Sequence, residues 1–493
     1  MPPKLSVEFV CILVFQALYF LRPQDWIPAI SGAPFVSLVM VAALFALVSR
    51  PQGFSPRTLL RTPHDWLMFL YLGWVSYNAA APFTMFKTLL PFLGFYIVTV
   101  QALSGLQQVE KFLRWWCVLL VVLSVVGIFT SFGLDVTGAG ELIQLNQGRL
   151  CLNTYMHKNP NALGHSIVIA IPMALFLYVW RSELDSLKGI LFAVLAAYCT
   201  YLTQSKGAFL VGFVVVVLAF LYGLPRMLQL ILASLAALGG SALLSVLPRM
   251  AELSKSEQGI IGRVLAWNSA LESLRLHPEG VGWKNFFAQF MWEGELVVKA
   301  THSSYVQIGA ALGYVGLFLY IGVIYSWFRT LLFARPKTLV EDRLRRVLLI
   351  LAASFAVSNW MIDRAYHTEF FLITGVIAAY HRLVVLRTRE EEADADGLAL
   401  PDASPATALA VPEAPLPQLS LAAGMVLNTA TPVFLQPGSS MEEAMAAVAR
   451  TKKRVSLTES FVRWERLQLI DLPAVYLLYL GVLEIWTYVV LHF

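Results

Sequence analysis

Apolar residues in this chain gather in long continuous stretches broken by short polar connectors, not in the alternation of a half-buried strand. A helix rising 1.5 Å per residue needs about 20 residues to cross roughly 30 Å of hydrocarbon, and lipid admits only helices or closed barrels. Unbroken stretches select helices. The pattern predicts spans over 5–21, 32–49, 66–81, 86–103, 115–132, 161–180, 189–204, 206–223, 227–247, 303–328, 347–361 and 368–387. The fold class expected is all-α: a polytopic transmembrane helix bundle of about twelve spans. A last apolar run, Leu472 to Phe493, is long enough to span or to lie in the interface, and Glu484 would be costly at mid-membrane, so a thirteenth span is left open.

Lysine and arginine in short loops stay with the cytoplasm. With the N-terminus inside, the connectors on that side carry Arg50, Arg57 and Arg61, then Lys111 and Arg114, Arg181 and Lys188, Arg226, and a run from Arg329 to Arg346. The short outer connectors and their edges hold little beyond Arg22, Lys87, Lys206 and Arg364. Lys4 and the apolar run after it resemble a secretory signal. No small-x-small cleavage site follows, and RPQDWIP from Arg22 to Pro28 reads as a retained interfacial turn.

The transmembrane part is expected over 1–389, with a large outer loop at 248–301 inside it. That loop holds RVLAWNSALESLRL, where Val264, Trp267, Leu271 and Leu274 recur at helical spacing, as a helix lying on the membrane surface over the bundle mouth would show. HPEGVGWKNF follows, and its Pro278, Gly280 and Gly282 predict a sharply turned strap. Past Arg389 the composition changes to EEEADADG and an Ala/Pro/Ser-rich stretch, expected to be a disordered cytoplasmic linker over 390–440. An amphipathic and apolar C-terminal segment follows over 441–493, with Lys452, Lys453 and Arg454 suited to anionic headgroups.

Composition agrees with a membrane protein: 58% of the 493 residues are hydrophobic and 14% charged, against roughly 25% charged in soluble domains. The net charge of +5 is spread over connectors, which argues against nucleic acid as a partner. The four cysteines show neither CxxC pairing nor zinc spacing, so no metal site or disulfide framework is expected.

Chemistry concentrates at outer helix ends. Lys206 stands in TQSKGAFLVG, where Gly207 permits a close approach. Arg263 opens the amphipathic stretch of the outer loop. His302, in THSSYVQIGAALGYVGL, sits at the water boundary before the tenth span, and histidine is the side chain that most readily exchanges a proton near neutral pH. Taken singly, each reads as an ordinary interfacial residue; together they bring two cations and a base to one side of the membrane. Arg149, Lys158 and Asn161 around the first long outer connector, with Trp267 and Arg364, are further candidates for substrate contacts. For the cluster Asp363, Arg364 and His367, a local ion pair explains the residues as well as acceptor binding does.

The order and form of NPNALGHSIVIAIPMALFL, TQSKGAFLVGF, GRVLAWNSALESLRLHPEGVGWKNF and THSSYVQIGAALGYVGLFLY resemble the O-antigen ligase family, over roughly 155–330. That family includes lipopolysaccharide O-antigen ligases, polysaccharide polymerases and protein O-oligosaccharyltransferases. The resemblance implies a GT-C-like fold in the bacterial inner membrane with its site facing the periplasm, and an active site of Lys206, Arg263 and His302. It also implies a polyprenyl-pyrophosphate-linked glycan donor, a glycan, lipid or protein acceptor, and no cofactor. The chain departs from the pattern at SKG, where SRG is usual, at Ser303, where asparagine is frequent, and at Ala311, where glutamate is. Lysine keeps the charge but not the planar fork of arginine. Two alternatives stay open: a polymerase of the same family, and a secondary transporter, although transporters place ionisable groups near the bilayer midplane.

Overall fold

A computed structural model describes residues 6–50, 59–179, 182–221, 258–365, 367–386, 464 and 466–492. The expected ninth span (227–247), the connector residues Arg57, Arg181 and Arg226, the start of the outer loop, the linker 390–440 and the basic cluster at Lys452 lie outside the described residues.

The chain forms α1 (Val7–Phe20), α2 (Pro23–Trp26), α3 (Phe35–Val48), α4 (Pro63–Tyr77), α5 (Pro82–Ala102), α6 (Leu106–Ser131), α7 (Gly140–Leu145), α8 (Pro160–Ile167) and α9 (Ala170–Tyr178). It continues with α10 (Glu183–Leu202), α11 (Lys206–Leu221), α12 (Gln258–Leu276), strands β1 (Ala288–Trp292) and β2 (Glu295–Lys299), α13 (Ser304–Phe333), α14 (Leu339–Ser358), α15 (Thr368–His381) and α16 (Asp471–His492). Among the described residues, eight helices are long and apolar enough to cross a membrane, α16 included, so this is a multi-pass membrane protein. The helices fall on the predicted apolar runs. The count of about twelve is not reached by length and composition: α3 and α4 have 14 and 15 residues, and α14 opens with Glu341, Asp342, Arg343, Arg345 and Arg346.

Local sequence explains the helix starts. Thr62 and Asp65 form a reciprocal cap on α4, Asp65 Oδ2 accepting from the Thr62 N–H at 2.7 Å, with Pro63 in the first turn, where its missing donor is harmless. Ser182, Ser303 and Thr338 cap α10, α13 and α14 through the side chain, each accepting from the backbone N–H three residues on. At the centre, α15 is buried on every side, and Phe370 stacks on Tyr320 of α13 at 4.9 Å. A helix apolar all round belongs in such a position.

Two polar layers fix the ends of the bundle. At one end, Tyr96 donates to Asp65 at 2.5 Å, Arg382 approaches the same carboxylate at 3.4 Å, and His64 lies 3.2 Å from the Ser326 carbonyl. At the other end α13 is broken at Gly313, which adopts φ 69° and ψ −169°. The break releases carbonyls that lipid could not satisfy, and the 277–283 strap and α4 supply the donors. Gly282 N–H reaches the Ala311 carbonyl at 2.7 Å, Trp74 Nε1 reaches that of Leu312 at 2.8 Å, and the Tyr314 N–H is taken by the Pro278 carbonyl at 2.9 Å. The Asn78 amide also donates to the Glu279 carbonyl. The strap is thus a plug seated in a helix break.

The outer loop, expected to be partly helical, joins α12 to an antiparallel hairpin in which β1 and β2 pair with Ala288 opposite Lys299, and one expectation for it changes. The apolar stripe of α12 packs on protein instead of resting on the membrane surface: Trp267, Leu271 and Leu274 are buried where α12 meets α13 and α16, and Val264 is half-buried. Enough apolar surface was available inside the protein to take it.

At Gly280, φ is +92° and an added Cβ would stand 2.5 Å from the Ala311 carbonyl oxygen. Gly280→Ala is therefore expected to cost about 2–3 kcal/mol or more, combining left-handed strain with the clash. Gly481→Ala, which meets nothing within 4 Å, should cost none. Thermal unfolding of the detergent-solubilised variants checks the contrast, and equal midpoints would remove the plug from the account.

Candidate active site

The candidate site is assembled where the starts of α11 and α13, the end of α14 and the outer loop meet. The turn from α10 into α11 passes through Gln204 in a left-handed conformation, φ 48°, and Ser205 then caps α11 by accepting from the Ala208 N–H at 3.3 Å. That cap makes Lys206 the first residue of the helix, half-buried. Beside it, a Cβ on Gly207 would lie 2.8 Å from His165 Nε2, so glycine is what lets α11 rest on the imidazole. Gly164 performs the same service one residue earlier, where a Cβ would meet the Thr203 hydroxyl at 2.7 Å. His165 is completely buried, and its Nδ1 lies 2.9 Å from the Ser358 hydroxyl at the end of α14.

His302 stands between β2 and α13 with φ 50°, a left-handed conformation uncommon outside glycine and held here from both sides. Upstream, Trp267 Nε1 donates to the Thr301 carbonyl at 2.8 Å. Downstream, the Ser303 hydroxyl and the Ser304 N–H both donate to the Asn359 carbonyl, at 3.1 and 2.7 Å, while the Ser304 hydroxyl accepts from the Arg364 N–H at 2.8 Å. Burial pushes the His302 imidazole down to about 4, and the neighbouring Arg263 and Lys299 add to the effect. At pH 7 it is neutral and can accept a proton. Lys299 is itself lowered by burial and by Arg263. Its aliphatic stem crosses Gly262, where a Cβ would be 3.2 Å from Cε.

Arg263 and His302 are thus neighbours, with Lys299 as a second cation. Arg263 also lies within electrostatic range of His165, against which the Gly207 backbone beside Lys206 packs. Sequence reasoning missed Lys299 and His165. The first stands three residues before His302 in KATH, but only the hairpin register brings it back over Gly262; the second was inside the quoted GHS and read as part of a span.

The remaining candidates take other places. Arg149 donates through Nε to the Thr203 carbonyl at 3.1 Å and through Nη2 to Asn161 Oδ1 at 2.7 Å, stapling the first outer connector to the turn before Lys206. Lys158 is exposed. Trp267 is buried, tilts against Trp360 at 5.9 Å and spends its N–H on Thr301. Arg364 is 3% exposed, pairs with Glu369 at 3.2 Å and donates to the Ser166 hydroxyl at 2.7 Å. The ion pair of that region therefore runs to Glu369 instead of closing locally on Asp363. Burial raises Asp363 to about 6, and burial with Arg364 and Lys284 lowers His367 to about 3. Among the described residues no three His, Cys, Asp or Glu side chains are grouped as metal ligands.

Removing one cation should release His302 partway. In Arg263→Gln the His302 midpoint is expected to rise from about 4 toward the ordinary 6.5, by less than the whole gap because burial is the larger cause. A depressed imidazole also works against folding in acid: the unfolded chain takes up its proton first, so stability present above pH 6.5 declines through pH 4. Histidine-labelled NMR titration measures the midpoint, and an unmoved one would separate Arg263 from His302.

Residues 191–321 match a family model described as O-antigen ligase. The matched stretch runs from α10 to the middle of α13 and contains Lys206, Arg263, Lys299 and His302. No curated protein and no solved structure matches the chain. Over that stretch, the chain is similar to the O-antigen ligase family.

Proposed function

We propose that this membrane protein is a glycosyltransferase that moves a glycan from a polyprenyl-pyrophosphate carrier to an acceptor hydroxyl on the periplasmic side of a bacterial inner membrane. The observation that carries the reading is a neutral imidazole, His302, beside Arg263 and Lys299 within the family-matched segment. A base must be unprotonated to act, and a leaving pyrophosphate needs positive charge nearby; one cluster offers both.

In the proposed step, the acceptor oxygen attacks the anomeric carbon and its proton passes to His302. The bond from that carbon to the phosphate oxygen breaks, and the pyrophosphate leaves with the electron pair. Arg263, Lys299 and Lys206 stabilise the accumulating negative charge, which fixed donors in a poorly hydrated cleft do better than water. One displacement with attacker and leaving group opposed inverts the anomeric centre. No step calls for a metal, since cations of the chain itself face the pyrophosphate.

His302→Ala should keep expression and carrier binding but lose transfer by about 10² or more, the usual worth of a positioned base. Arg263→Ala should also weaken carrier binding, and Lys206→Arg should stay active where charge alone matters. Transfer from a lipid-linked glycan donor by purified protein is the assay. Undiminished transfer by His302→Ala would overturn the mechanism, and a product lengthened by repeat units would identify a polymerase.

A further inference from the structure

We propose that α16 is a positioning element of the His302 site, and that Trp486 sets the His302 segment in place by way of Trp267. The importance of that placement for glycan transfer rests on the function proposed above; the placement itself does not.

The helix is mostly an outward-facing apolar surface. Leu472, Leu477, Ile485 and Leu491 are all exposed, as suits a helix against lipid. Its buried positions are Asp471, Val475, Tyr479 and Trp486, a single stripe at helical spacing. Trp486, at the far end of that stripe, has no exposed surface. Its ring lies on Gly309 of α13, where a Cβ would stand 2.8 Å from Cζ3, so only glycine admits the indole at this depth.

Trp486 Nε1 donates to the Trp267 carbonyl at 3.0 Å, and Trp267 Nε1 donates in turn to the Thr301 carbonyl at 2.8 Å. Thr301 precedes His302, the residue with left-handed φ. Two indole N–H groups in series thus connect the last helix to the backbone of His302. The Trp267 carbonyl lies in the interior of α12, where the helix ladder already uses it; a second donor ties the position of α12 to that of α16. Since Arg263 is one turn before Trp267 on α12, the same contact also bears on the spacing of Arg263 and His302.

The opposite end of α16 fixes its height. Asp471 accepts from Trp464 Nε1 at 2.6 Å, from the Gln468 N–H at 2.7 Å and from the Tyr325 hydroxyl at 2.7 Å, and it pairs with buried Arg329 at 3.7 Å. From Asp471 to Trp486 is about 22 Å of helix at 1.5 Å per residue. A slip of one residue would move the Trp486 indole by about 1.5 Å and turn it by about 100°, and the bond to Trp267 would be lost. The anchored length of the helix therefore determines whether the indole meets its carbonyl.

The test uses the full chain in detergent or nanodiscs. Trp486→Phe keeps most of the ring and loses the N–H; Trp486→Ala loses both; Leu477→Ala, on the exposed side of the same helix, is the control. His302→Gln assigns the His302 signal in a histidine-labelled NMR titration. Arg263 from α12 and Lys299 from β2 are the charged groups acting on this imidazole. Loosening the segment should move its midpoint up from about 4 by half a unit or more in Trp486→Phe and further in Trp486→Ala, with Leu477→Ala unchanged. In a glycan-transfer assay, kcat should fall about five-fold in Trp486→Phe, the usual scale of one hydrogen bond, with the donor KM within about two-fold. The acid limb of the pH profile should move with the NMR midpoint. A merely structural tryptophan would lower the yield of folded protein and leave midpoint and limb in place, which overturns the proposal. Should Trp486→Ala fail to fold, the Phe variant carries the test. A shifted His302 midpoint in a protein whose wild type transfers no glycan would uphold the positioning and refute the proposed function.

Discussion

A histidine can take a proton beside two cations only while it is neutral, and partial burial is what keeps His302 so. The larger influence on the imidazole is the loss of water; Arg263 and Lys299 press in the same direction. The arrangement has a consequence for catalysis of the proposed kind. The charges that would stabilise a departing pyrophosphate are the same ones that hold the base unprotonated, so clamp and base reinforce each other. Were the nearby charges acidic, the imidazole would be protonated and the cleft would repel its substrate.

Keeping that environment requires a rigid setting, and the fold supplies it by satisfying the backbone where α13 is interrupted. Lipid tolerates irregular backbone only where protein covers it. Gly313 breaks the helix and the Pro278–Gly282 strap fills the break, so the outer loop is pinned within the bundle instead of floating above it. The strap follows α12 directly and leads into the hairpin, so fixing it also fixes Arg263 on one side and Lys299 on the other. His302 then leaves the hairpin in a strained conformation held by Trp267, Ser303, Ser304 and Asn359. Strain persists only where surroundings over-determine it, and here contacts from α12 and α14 do so.

Much of the bundle was legible because a span announces itself by unbroken apolar length; α6, α10 and α15 lie where the pattern put them. The apolar runs of α3, α4 and α14 were legible, but α3 and α4 are short and α14 starts with charges, so none of the three certifies a crossing. For the candidate site, Lys206, Arg263 and His302 could be proposed from motifs whose order was informative. Their supporting residues could not. The break at Gly313 depends on donors more than thirty residues upstream, in the strap and in α4. Lys299 reaches Gly262 through a hairpin that a helix-based reading did not anticipate. Trp267 matched a stripe of apolar spacing, and only the tertiary structure shows its N–H committed to Thr301. Arg364 read as paired nearby, whereas its partner Glu369 sits in the first turn of α15 and was counted as part of a span.

The central claim is that glycan transfer depends on a neutral His302 sheltered in this cluster. It is tested most directly by the pH dependence of single-turnover transfer from a lipid-linked donor by the wild-type protein. The account predicts a rate that holds its plateau well below pH 6.5 and falls along an acid limb near the His302 value of about 4. A limb at 6.5 or above would mean that the imidazole is exposed and ordinary, and the absence of any transfer would contradict the account outright.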